Sequence, residues 1–235
     1  MLDRLDSDLL RYIVSSRKRP GDRLPSLEVL SKELRISPGK LREQLEVART
    51  LGLVEVRPRT GIRLADYSFL PAVRFSVMYA LAGEPALFDA FGQLRSQIEA
   101  SFWHEAVALL TPADHAHLRD LIAVAWAKLD GQPIQIPHAE HRDLHLTIFH
   151  RLDNPFVKGL LEAYWEAYEA VGLSLFSDYY YLREVWTYHH GIVDALIAGD
   201  PDEGHRLLVL HTSLLRHREA PRSAAVGATY AADVP

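Results

Sequence analysis

From residue 69 onward the chain is cut by short signals that stop one helix and start the next: Gly83-Glu84-Pro85, Thr111-Pro112, Gly131-Gln132-Pro133, Asp153-Asn154-Pro155 and Gly199-Asp200-Pro201. Glycine suits the residue just past a helix, and proline suits the first helical position because it lacks an N–H that would go unpaired there anyway. Between the signals run amphipathic segments with hardly any strand pattern, which predict helices over 69–82, 86–110, 112–129, 137–152, 155–172, 179–198 and 201–217. An all-helical bundle follows, and such a bundle builds its ligand sites from side chains projecting between facing helices.

The rest of the chain is of a different kind. At 235 residues the chain has room for two domains, and its 48% apolar content supports a sizeable core. It has no run of about 18 apolar residues and its first residues, Met-Leu-Asp-Arg-Leu-Asp, are not a signal peptide, so a cytoplasmic protein with no membrane partner is expected. The absence of cysteine leaves only His, Asp and Glu to hold a metal. Residues 1–65 carry 14 Lys+Arg against 9 Asp+Glu, a charge of +5, whereas the remainder carries 12 against 22, a charge of -10. A basic module joined to an acidic body implies that one part meets a polyanion and the other does not.

Within the basic module, Leu5, Leu9, Leu10, Ile13 and Val14 predict a first helix over 3–16, ended by Arg17-Lys18-Arg19-Pro20-Gly21. Pro25-Ser26 opens a second, with Leu27, Leu30 and Leu34 inward; Ser37 and Pro38 begin a third, through Leu41, Leu45 and Ala48 to about Leu51. Leu53–Val56 and Gly61–Leu64 then read as a hairpin around Arg57-Pro58-Arg59-Thr60. Helix, helix, turn, longer helix and basic hairpin are the parts of a winged helix-turn-helix, which places its recognition helix in the DNA major groove. Lys40 and Arg42 lie on the third helix, and Arg57, Arg59 and Arg63 on or beside the wing.

In the body, His138-Ala-Glu-His-Arg-Asp-Leu-His-Leu-Thr-Ile-Phe-His150 holds four histidines in thirteen positions. On a helix, His141 and His145 share one face at roughly 5–6 Å between Cβ atoms, a spacing that suits one metal ion and equally suits a wet face. His189 precedes Ile192, Val193 and Leu196, and His211 lies in a stripe with Leu207, Leu208, Leu214 and Leu215, so both point to the core side. His190 falls about 100° round the helix from His189 and reads as neighbouring or surface, while His138, His150 and His205 read as surface.

The run Pro20-Gly21-Asp22-Arg23-Leu24-Pro25-Ser26, with Leu30, Ile36-Ser37, Leu41-Arg42-Glu43, Leu45, Gly52-Leu53-Val54 and Arg59-Thr60-Gly61, resembles the DNA-binding domain of GntR-superfamily transcription regulators. The resemblance implicates Ser26, Ser37, Lys40, Arg42, Arg59, Thr60 and Gly61 in DNA contact. Two positions depart from it: Glu28 and Pro38 stand where the family commonly has arginines that read bases, so the usual operator sequence is not carried over.

The body, through Arg95 and Glu99, His145 followed by Asn154-Pro155, His189 with Ala195 and Gly199-Asp200, and His211, resembles the FCD effector domain of the FadR-type branch. Metal-binding members have Asp, then His four residues on, then two more histidines on the last two helices. The matching residues here are His141, His145, His189 and His211, so a histidine stands where the family has Asp. Asp143, turned about 200° round a helix from His141, is no substitute, nor is Glu140 beside it. The resemblance implies a divalent transition metal, zinc or nickel foremost, on those four residues, with Arg95 and Asn154 toward a small carboxylate effector. It also implies a homodimer on a double-stranded DNA operator. Residues 1–66 are then the DNA-binding domain, 67–217 the effector domain and 218–235 a disordered tail. Two other functions stay open: a sensor whose effector is the ion itself, and a metalloenzyme using Glu140, Asp143 or Glu184 as base.

Overall fold

Ser7 decides where the first helix begins. Its backbone is extended at φ -154 and its hydroxyl accepts from Leu10 N, so α1 covers Asp8–Ser15 and the residues before it form only a 3-10 turn at Leu2–Arg4. The single helix expected over 3–16 is therefore two elements, and Val14, expected inward, is 57% exposed. The computed structural model describes residues 1–57, 61–171 and 179–214; the wing residues Arg59 and Thr60 and the expected tail lie outside them.

Helix α2 (Leu27–Leu34) is capped by Ser26, and α3 (Pro38–Thr50) by Ser37 with Pro38 at its first position. Strands β1 (Val54–Arg57) and β2 (Gly61–Leu64) pair antiparallel from Val54 opposite Leu64 to Arg57 opposite Gly61. Gln44 of α3 ties the head together: its Oε1 accepts from Leu9 N at 2.8 Å and from Ser7 Oγ at 3.2 Å. Leu9, Ile13, Leu24, Leu30, Leu41, Leu45, Ala48, Val54 and Ile62 form its core, which shares no residue with the core of the helical body.

The body contains α4 (Leu70–Gly83), α5 (Leu87–Val107), α6 (Pro112–Leu129), α7 (His138–Phe149), α8 (Pro155–Val171), α9 (Tyr179–Ala198) and α10 (Pro201–Leu214). Helix α5 stops before the expected residue 110 because the chain tightens into i−3 bonds, Leu109 N to Ala106 O and Leu110 N to Val107 O. Helix α7 likewise stops short of 152, where Leu152 N bonds Phe149 O.

The α9–α10 turn shows how a short signal aims a helix. Gly199, at φ +76, adopts the left-handed conformation that suits glycine. It closes α9 through Gly199 N to Leu196 O and Asp200 N to Ala195 O. Asp200 Oδ1 then accepts from Glu203 N at 3.0 Å, and Pro201 starts α10. Trp103 of α5 fixes the turn from beneath, its indole N–H donating to Pro201 O at 2.7 Å. The last two helices thus run back against each other, with α10 also against α5 and α9 against α6.

Two glycines mark close approaches. A Cβ at Gly159 of α8 would lie 2.6 Å from Leu70 N at the start of α4, and one at Gly52, after α3, would lie 2.6 Å from Pro71 Cγ. Helix α3 therefore ends against the first turn of α4, which in turn rests on α8.

Candidate metal centre and DNA-binding face

Four histidines from three helices meet inside the body. His141 and His145 come from successive turns of α7, His189 from α9 and His211 from α10. One ligand atom from each lies within 4.8 Å of the others. His145, His189 and His211 are fully buried, while His141 keeps part of its surface exposed but buries its Nε2. Trp165 of α8 walls the group 4.7 Å from the His141 ring, and Trp186 of α9 lies 4.9 Å from His189. Tryptophan walls were not read from the sequence; the i+3 step from Trp186 to His189 was the available signal.

Burial pushes all four imidazoles well below the ordinary 6.5, and Arg95 pushes the same way in every case. Neutral imidazole is the ligating form. The donor set also fits an ion by its unpaired atoms: His141 Nε2, His189 Nδ1 and both nitrogens of His211 are buried without a hydrogen-bond partner. Buried polar atoms are otherwise almost always paired. His145 Nε2 lies 3.2 Å from His189 Nε2, close to the roughly 3.3 Å that separates two imidazole nitrogens on a tetrahedral zinc at about 2.0–2.1 Å each.

Helix α5 supplies the floor. Arg95, 2% exposed, sets Nε 3.0 Å from Glu99 Oε1. Its NH2 lies 2.9 Å from His145 Nδ1, and its guanidinium sits 4.8 Å above the Tyr164 ring. Arg95 is thus both the i,i+4 partner of Glu99 and a cation facing the histidines. Glu99 is wholly buried, its carboxylate 3.1 Å from His145 Nδ1. Burial pushes its proton affinity up, against the pull of Arg95. The sequence named Glu99 only among the residues that carry the FCD resemblance; its place in the buried stripe Arg95, Glu99, Trp103, Ala106 was the missed signal.

The remaining candidates fall elsewhere. Asn154 Oδ1 accepts from Phe156 N at 3.1 Å and Val157 N at 3.2 Å, so its carbonyl caps α8. Glu140 pairs with Lys128 at 2.6 Å, Asp143 with Arg142 at 3.0 Å, and Glu184 is exposed. His150 and His190 are exposed, whereas His138 and His205 are half-buried. His205, expected at the surface, donates from Nε2 to Ala100 O at 3.0 Å, packed between α10 and α5.

On the head, Ser26, Ser37, Lys40 and Arg42 are exposed. The two serine hydroxyls are engaged as caps, accepting from Val29 N and Lys40 N, which leaves helix N-termini as the groups that can greet phosphate. Lys40 Nζ is held 3.0 Å from Asp8 Oδ2, and hydrogen bonds from Gln44 first, then Lys40 and Arg11, keep the Asp8 carboxyl well below the usual range. Gly61 opens β2 at φ +81 with the Arg23 guanidinium packed against it. Glu28, on the first turn of α2, pairs with Lys32 at 2.8 Å.

Residues 3–64 match the gntR family of bacterial regulatory proteins, and residues 90–214 match the FCD domain. The HTH-type transcriptional regulator YcbG of Bacillus subtilis is 26% identical over 213 residues, covering 89% of this chain and 86% of that protein. LutR of the same organism, also an HTH-type transcriptional regulator, is 22% identical over 205 residues, covering 85% and 92%. A solved GntR structure from Streptococcus agalactiae has the same fold, with a TM-score of 0.63 at 19% identity over 92% of this chain and 96% of that one. No helix among the described residues is long and apolar enough to cross a membrane. The family and these relatives are regulators rather than enzymes, and the chain belongs with them: it is a GntR-type DNA-binding transcription regulator carrying an FCD effector domain.

Proposed function

We propose that the helical domain holds a divalent transition metal, zinc or nickel, on His141, His145, His189 and His211, and that the loaded site takes a small carboxylate that alters DNA binding. The observation that carries this reading is that His141, His145, His189 and His211 each bring one ligand atom within 4.8 Å of the others, and that three of the four hold buried nitrogens with no hydrogen-bond partner. The ion supplies a 2+ charge that four neutral imidazoles leave undiminished, and Arg95 adds a guanidinium beside it; both favour an anion. Arg95 is the effector-side residue in this reading, whereas Asn154 acts through the capping of α8.

A route for the signal is contiguous. Trp165 touches His141, its helix α8 meets α4 at Gly159, and α4 meets the end of α3 at Pro71 and Gly52. A ligand that fits one placement of these helices better than another shifts the head accordingly. Operator contact in this reading falls to Ser26, Ser37, Lys40, Arg42, Arg59, Thr60 and Gly61. A homodimer matches the two-fold symmetry of palindromic operators. Helix α4 offers a face for it: Phe75 and Tyr79, one turn apart, are 64% and 81% exposed on a helix with a single charged residue, Arg74.

The test is DNA-binding affinity of chelator-treated protein, with Zn2+ or Ni2+ and then acetate, lactate or citrate restored separately. The proposal expects the carboxylate to change affinity only after metal is restored. If metal alone throws the switch, the ion is the effector; if neither binds, the proposal is overturned.

A further inference from the structure

Glu99 has no task in the reading above, yet it is 0% exposed and neither carboxylate oxygen has a hydrogen-bond partner. Its neighbours are Arg95 Nε at 3.0 Å and His145 Nδ1 at 3.1 Å. The second of these places it at the back of a proposed metal ligand. His145 points Nε2 into the cluster, 3.2 Å from His189 Nε2, and turns Nδ1 toward α5. There Nδ1 meets two groups with opposite demands, Arg95 NH2 at 2.9 Å and Glu99 Oε1 at 3.1 Å, and the same Arg95 NH2 also reaches Nε2 at 3.2 Å.

A neutral imidazole carries one ring proton, and the partner of one nitrogen decides the state of the other. If Nδ1 accepts from Arg95, the proton sits on Nε2 and points at His189, so His145 cannot ligate. If Nδ1 carries the proton and donates to Glu99, Nε2 presents a bare lone pair to the other three histidines. At Nδ1, Arg95 and Glu99 thus favour opposite tautomers. In the second, Arg95 NH2 loses Nδ1 as an acceptor and keeps only the Nε2 lone pair, at 3.2 Å, which an ion bound there would take from it.

We propose that Glu99 is the positioning residue that sets His145 in its ligating tautomer, and that an ion taking the Nε2 lone pair of that tautomer releases one N–H of Arg95 for an anion. This rests on the metal reading and adds to it a reason why metal loading and anion binding are coupled in this chain. Carboxylates behind ligating histidines fix ring orientation and tautomer in this way, and losing one typically costs 10–100-fold in metal affinity.

The experiment uses the full-length chain and Zn2+. Long-range 15N–1H histidine spectra of the zinc-loaded wild type are expected to show His145 protonated on Nδ1, with Nε2 bare. Competition with a chromophoric chelator is expected to give Glu99→Gln a zinc affinity about 10–100-fold below wild type, with circular dichroism checking that the variant is folded. A His145 found with Nδ1 bare in the loaded wild type overturns the proposal with no variant needed. So does a folded Glu99→Gln with wild-type zinc affinity. A wild type that takes up no stoichiometric zinc removes the metal reading itself, and this inference with it.

Discussion

Helices α2 and α5 carry the same local motif, a glutamate and a cation four residues apart, and put it to opposite use. Glu28 and Lys32 on α2 keep about four-fifths of their side chains in water, 80% and 76% exposed, at 2.8 Å. Arg95 and Glu99 on α5 are 2% and 0% exposed at 3.0 Å. The order differs too: acid before base supports an isolated helix, base before acid does so less well. The α5 pair is therefore poorly placed to stabilise its own helix, and its surroundings are the histidine cluster. Environment, which the spacing alone does not encode, separates a surface ornament from a structural commitment.

Removing one member of each pair breaks the comparison most forcefully. Arg95→Ala leaves Glu99 buried and uncompensated, and about 3–5 kcal/mol of stability is expected to go. Arg95→Met combined with Glu99→Leu restores most of it, because the buried charge is gone as well. Urea unfolding of the metal-free chain measures both. A single-variant loss below about 1 kcal/mol would place the α5 pair with the α2 pair.

Acid separates the regions next. The four cluster histidines have folded values depressed below 6.5, so the unfolded chain binds more protons as pH falls through 6.5. Their contribution is full above that value and is lost on the acid side, by roughly 1 kcal/mol per histidine over the first pH unit below it. Glu99, with its folded value raised, works in the opposite sense: its contribution is present below 4.5 and is lost as pH rises through the folded value. The charged groups facing the histidines are the Arg95–Glu99 pair, with His138 acting on His141 in the same lowering direction, so the histidines dominate near neutrality. Stability of chelator-treated protein from pH 7.5 to 5.5 checks this; a flat profile would mean that the cluster is already protonated or open to water.

The two regions also differed in how much of them could be read in advance. The head was legible because its signals are local: Ser26, Ser37 and Pro38 act within three residues of themselves, and the wing closes over a few more. Its error, a single helix over 3–16, came from trusting apolar spacing over the cap at Ser7. The cluster required residues 70 apart to meet, and His189 and His211 were legible only because each shares a stripe with leucine, isoleucine or valine. Glu99 was hidden because its spacing from Arg95 is the same as that of the exposed pair Glu28–Lys32 and does not say which pair is buried.

His141 sharpens the comparison inside the site. In the family pattern an aspartate stands there, and its charge would halve that of a divalent ion. His141→Asp is expected to weaken carboxylate binding to the zinc-loaded protein by about tenfold, near 1.4 kcal/mol. Titration calorimetry with lactate and citrate reads it, and tighter binding by the variant would reverse the electrostatic argument. Because Arg95 and Glu99 stay in place, the change isolates the charge at the ion from the charge beneath it.

The smallest effect on stability belongs to α2, and there the interest moves to DNA. Glu28 lies on the first turn of a helix whose N-terminus belongs to the proposed DNA face, and it puts a carboxylate where the family commonly has arginine. Glu28→Arg breaks the exposed pair with Lys32, a loss of only about 0.3–0.5 kcal/mol, so the melting curve should scarcely move. Binding to DNA of arbitrary sequence should tighten as repulsion is removed, and if the new guanidinium reaches one phosphate, the slope of log K against log salt should steepen by about 0.9. Fluorescence anisotropy over a range of KCl concentrations measures both. An unchanged affinity and slope would take the start of α2 off the DNA face. A steeper slope would show that the acidic residue sets this regulator's DNA contact below what its scaffold allows, leaving recognition to Lys40, Arg42 and the wing.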